Sequence, residues 1–116
     1  MNTASPIQQF DDDLRRTVER LSSMALDRLE RPDRTGRTPA DRAHELAGRL
    51  VEATEALQSA QHEVPMVPRL RAHGAGSQLA VLGRDLAAAA STCGAAGEAT
   101  LLTAAEWLRD LRVDHL

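Results

Sequence analysis

Apolar residues in the first thirty positions fall at Ile7, Phe10, Leu14, Val18, Leu21, Ala25 and Leu29, in steps of three and four. Such steps align one face of an α-helix, and Asp12, Arg15, Arg16, Glu19 and Arg20 occupy the opposite face. The segment Ser5-Pro6-Ile7-Gln8 carries the matching start signal. A hydroxyl N-cap, a proline at N1 and a glutamine at N3 form a capping box. Pro32 disfavours helical geometry in the residue before it, so the first helix is expected over residues 6–30.

Turn residues Pro32, Asp33 and Gly36 follow, and Thr38-Pro39-Ala40-Asp41 repeats the start signal with an acid at N3. A second helix over 39–62 buries Ala43, Leu46, Ala47, Leu50, Val51, Thr54 and Leu57 and exposes Arg42, Arg49, Glu52, Glu55 and Gln58. Pro65 and Pro68 make a stiff link, and a helical turn at 68–73 is expected beyond it. A third helix over 76–93 aligns Leu79, Leu82, Leu86 and Cys93. Extended backwards, that face meets Ala75 and Ala72 and leaves Leu70 out, which predicts a bend or break near Gly74. Gly94 and Gly97 separate it from a fourth helix over 97–113, with Leu101, Ala104, Ala105, Leu108 and Leu111 inward and Leu102 and Trp107 flanking them. Together these segments predict one all-α domain over 1–116, an up-down-up-down four-helix bundle. Gly48 and Gly83 lie inside helices, which points to close helix approach at both.

Composition agrees: 42% of the chain is hydrophobic, mostly Ala and Leu, with one Phe, one Trp and no Tyr. All 14 basic residues are Arg, and the Ala and Arg usage is that of a GC-rich, bacterial genome. Without lysine, Schiff-base chemistry and a lysine-bearing P-loop are excluded. The net charge of −3 argues against nucleic acid as a partner, since phosphate binding draws on a positive surplus. The stretch Leu86–Gly97 is uncharged but too short for ~30 Å of hydrocarbon, and the opening residues carry no signal-peptide pattern. Cys93 is single, so a cytoplasmic setting without membrane partner or intrachain disulfide is expected.

Three constellations are candidates for chemistry. Arg69, Arg71 and His73, with Gly74 and Gly76, precede a helix amino end, where arginine forks and free N–H groups would hold a phosphate or carboxylate. His44, His62, His73 and His115 would form a metal site only by converging from several helix ends. Asp41-x-x-His44 is the lone acid-x-x-His pair, where a di-iron bundle needs two. Leu102 and Trp107 widen the apolar stripe of the fourth helix and suggest an interface, with homodimerisation as its simplest form. A helix-turn-helix reading of 86–103 fails, because Thr100 and Thr103 stand where apolar residues are needed. Pro65-x-x-Pro68 reads as a connector. Cys93 reads as a packing residue at the end of the third helix, where the dipole disfavours a thiolate. No catalytic residue, metal or cofactor is assigned. The expected function is a non-catalytic interaction or structural module, possible as a homodimer. The alternatives are an anion-binding regulatory bundle at the Arg69/Arg71/His73 turn and a metal-dependent bundle enzyme with clustered histidines.

Overall fold

The computed structural model describes residues 4–58, 67–70 and 72–116. Within them the protein is all-helical: α1 (Pro6–Ser23), α2 (Leu26–Leu29), α3 (Pro39–Leu57), α4 (Ala75–Ala90) and α5 (Gly94–Asp110). A 3-10 turn at Ala72–Gly74 leads into α4, and a π-helical turn at Leu111–His115 continues α5.

Both predicted capping boxes form. Ser5 Oγ accepts from the Gln8 amide at 3.3 Å while Gln8 Oε1 accepts from the Ser5 amide at 3.0 Å. Thr38 and Asp41 do the same at 3.0 and 2.9 Å, so each helix satisfies free amino-end donors from its own sequence.

The first helix stops at Ser23, seven residues short of the expected Glu30. Met24 and Ala25 are extended, with ψ of 138° and 147°. Ser23 Oγ donates to the Arg20 carbonyl at 3.0 Å, the local competition by which serine weakens a helix interior. The break leaves Ala25 exposed and turns Leu29, carried by α2, into the core. Ile7, assigned inward from its spacing, is also exposed.

Neighbouring pairs fix the direction of each helix. Along α1, Ile7 shares a cleft with Ala87 and Ala90, Leu14 meets Gly83, and Val18 and Leu21 meet Gly76, so α1 and α4 run oppositely. Along α3, Ala40 and His44 lie beside Ala75 and Gln78, Val51 beside Val81, and the Leu57 carbonyl accepts from Cys93 Sγ at 3.4 Å. Helices α3 and α4 therefore run the same way. Helix α1 likewise runs with α5, from Ile7 beside Leu101 to Arg20 bonded to Leu116. The order is up-down-down-up rather than the up-down-up-down expected from short connectors. The 17 residues between Leu57 and Ala75 explain it. At ~3.3 Å per extended residue they far exceed the ~28 Å length of α3, so the chain can return to its starting end.

One core of Phe10, Leu14, Leu21, Leu29, Leu46, Leu50, Leu79, Leu86, Leu101 and Leu108 joins all five helices. Gly83 admits Leu14, whose Cδ2 would lie 2.5 Å from an added Cβ. A Cβ on Gly97 would overlap the Ala90 carbonyl, so the tight α4–α5 corner depends on this glycine. Gly48 has nothing within 4 Å, and the close approach expected there is absent.

Two substitution pairs test this packing by urea unfolding. Leu50→Ala removes a side chain with 0% exposure and is expected to cost about 2–5 kcal/mol, against under ~0.5 kcal/mol for the outer-face change Glu52→Ala. Gly48→Ala should raise stability by about 0.5–1 kcal/mol, since alanine is the better helix former and meets no neighbour, whereas Gly97→Ala should lower it.

Candidate functional site

Side chains on α1 orient α5 and so decide which of its faces is free. Asp13 and Thr17 are buried on α1, 6% and 0% exposed. Arg112 Nη2 donates to Asp13 Oδ1 at 2.8 Å, Arg112 Nη1 donates to Thr17 Oγ1 at 3.1 Å, and Arg109 Nη2 reaches Asp13 Oδ2 at 3.2 Å. Thr17 Oγ1 donates to the Asp13 carbonyl at 2.7 Å. Further along the seam, Arg20 and Arg28 donate to the Leu116 backbone oxygen at 2.6 and 2.8 Å. Apart from Arg20, placed on the outer face, none of these was named from sequence. The signal was there: Phe10, Asp13, Leu14, Thr17 and Leu21 share one helical stripe, so two polar residues stood in the buried set.

With that flank of α5 committed to α1, its other flank faces α3 across an open groove of about 280 Å³. Arg42, Glu45 and Arg49 line it from α3, and Trp107, Asp110, Asp114 and His115 from α5 and the π turn. Trp107 is half-buried, and the Arg49 guanidinium lies over its ring, 5.6 Å from the centroid. Arg42, Asp114 and His115 also line a second groove of about 330 Å³, which continues past Met24, Arg31, Pro32 and Arg37. The arginines on these walls are paired: Arg37 with Glu45 at 2.8 Å, Arg42 with Asp33 at 2.9 Å and Arg31 with Asp27 at 3.3 Å.

Leu102 and Trp107, paired as an interface from sequence, lie on opposite flanks of α5. Five residues turn a helix by about 140°, and Arg109, one heptad after Leu102, points to α1. Only Trp107 belongs to the groove.

In the predicted anion turn, Arg69 pairs with Asp41 at 2.8 Å. Gly74 ends the 3-10 turn before α4. Gly76 is buried, where an added Cβ would lie 2.8 Å from Ser22 Oγ and 3.3 Å from the Val18 carbonyl. Arg71 and the His73 side chain lie outside the described residues, as does His62. His44 lines a cavity of about 10 Å³ beside Arg69 and Ala75, whereas His115 lines the α3–α5 groove. Among the described residues no three His, Cys, Asp or Glu side chains are placed to hold a metal. Cys93 lies beyond the end of α4 at Ala90 and is the residue that precedes α5, while its thiol stays among carbonyls at the carboxyl ends of α3 and α4. Its thiol lies 3.3 Å from the Ala89 carbonyl and 3.4 Å from that of Leu57.

Two carboxylates are shifted by their neighbours. Hydrogen bonds from the Thr35 hydroxyl, and then from Arg42, hold Asp33 well below the usual carboxylate range. The Thr38 amide, and then Arg69, lower Asp41. Comparison with protein-family models, curated proteins and solved structures finds no match. No helix among the described residues is long and apolar enough to cross a membrane.

The seam and the caps yield separate tests. Asp13→Ala leaves Arg112 uncompensated at 18% exposure and should cost about 2–4 kcal/mol, near the range for broken buried pairs, whereas Asp12→Ala on the exposed face should cost under ~1 kcal/mol. Because folding lowers Asp33 and Asp41, their contribution is complete above the unfolded pKa near ~4 and is lost as pH falls through the folded values. Thr35→Ala should therefore raise the Asp33 titration midpoint measured by carboxyl-carbon NMR.

Proposed function

We propose that this chain is a non-catalytic helical interaction module that docks a protein surface onto the α3–α5 groove. The observation that carries the reading is Trp107, half-buried in an open groove with Arg49 over its ring. Tryptophan and arginine are the residues most enriched at the energetic centres of protein interfaces, where a rigid ring gives large contact area at little entropic cost. The groove mixes apolar, acidic and basic walls, as a docking surface does. A second copy of the chain is the simplest partner, and a reducing cytoplasm suits the single Cys93. The anion-binding alternative has less support, because the Arg69 guanidinium is already met by Asp41.

Photo-crosslinking in an extract of the native host tests the reading. A photoreactive phenylalanine analogue replacing Trp107 should give a discrete protein adduct, and the same analogue replacing Glu19, which is 67% exposed on the outer face of α1, should not. An adduct at twice the 12.6 kDa chain mass would identify the partner as a second copy. No adduct from position 107, or equal labelling from both positions, would remove the proposal.

A further inference from the structure

The docking groove carries charges that its own residues leave unmatched. Of the arginines that line it, Arg42 is paired with Asp33 and Arg49 lies over the Trp107 face, while its Glu45 is met by Arg37 from outside the groove. Asp110 and Asp114 line the opposite wall one turn apart, and neither has a hydrogen-bond or ion-pair partner among the described residues. Their placement is unfavourable on two further counts. Like charges at this spacing repel, and both acids stand at the carboxyl end of α5 and its π turn, where the helix dipole already presents negative charge. The cations that would ordinarily complement that end, Arg109 and Arg112, are turned away to Asp13 on α1. Local rules broken without internal compensation concentrate at functional sites, and π-helical turns do the same.

We propose that Asp110 and Asp114 receive an arginine or lysine side chain from a basic segment of the docked partner, with Trp107 beside it as an apolar wall. The inference rests on the docking function proposed above and names the chemistry of the partner at that same groove. A cation relieves the repulsion between the two acids and complements the helix end at once. A guanidinium is the better fit, since it forks to carboxylates and stacks on indole, as Arg49 already does here. A calcium site takes about six to eight oxygens, more than these two carboxylates supply, and among the described residues no three His, Cys, Asp or Glu side chains are grouped to hold a metal. A nucleic acid would meet negative charge on this wall.

Trp107 is the sole tryptophan, so its fluorescence reports on the groove alone. The probe is a capped hexapeptide alternating glycine and arginine, compared with its glutamate counterpart and with magnesium and calcium chloride. The expected result is a saturable change with the arginine peptide that weakens as salt rises from about 50 to 500 mM. Binding by Asp110→Asn/Asp114→Asn should be weakened by about tenfold or more, as for loss of a charge pair at an interface. Asp12→Asn, on the outer face of α1, should bind like the unaltered protein. No saturable response, equal affinity in the double variant, or an equal response to the glutamate peptide or to either metal salt would overturn the proposal. A crosslink at position 107 alongside such a failure would leave the docking function standing and reject only the basic partner.

Discussion

The bond network between Arg112 and the buried pair Asp13 and Thr17 sets the rotation of α5, and the groove depends on that rotation. Arg109 and Arg112 are three residues apart and face α1 together. At about 100° per residue, Trp107, Asp110 and Asp114 are then carried to the flank that looks toward α3. An apolar seam of the same size would fill space without choosing so sharply among rotations, because dispersion and burial are non-directional whereas charge-assisted hydrogen bonds are not. The network is thus better understood as a device of register than as a reservoir of stability.

Much of the fold was legible in the chain. The stripes that start at Phe10, Ala43, Leu79 and Leu101 are the stripes that pack, and Ser5 and Thr38 cap the helices they were expected to cap. Direction along the bundle was not legible, because it is set by the reach of the 58–74 link and not by any periodic pattern. The α1 break was missed for a local reason. Ser22 and Ser23 are polar, so they left the apolar spacing through Ala25 and Leu29 intact while weakening the backbone beneath it.

The groove was half legible. Trp107 stood out as a large ring at the edge of a stripe, but Leu102 was grouped with it because both flank the same core residues. Flanking is ambiguous on a cylinder: two residues can border one stripe from opposite sides. Asp110 and Asp114 were invisible because acids on a surface helix are ordinary in sequence. They become unusual only when the structure shows Arg42, Arg109 and Arg112 turned to other carboxylates.

The like direction of α1 and α5 bears on how the chain is made. Asp13 meets its guanidinium partners 96 and 99 positions later, so α1 leaves the ribosome with a buried-type carboxylate and an apolar edge that nothing nearby can cover. The α4–α5 hairpin, closed by three residues, has only local work to do. The apolar edge of α1 therefore stays bare in the growing chain until α4 has been made, and its buried carboxylate stays unpaired until α5 follows.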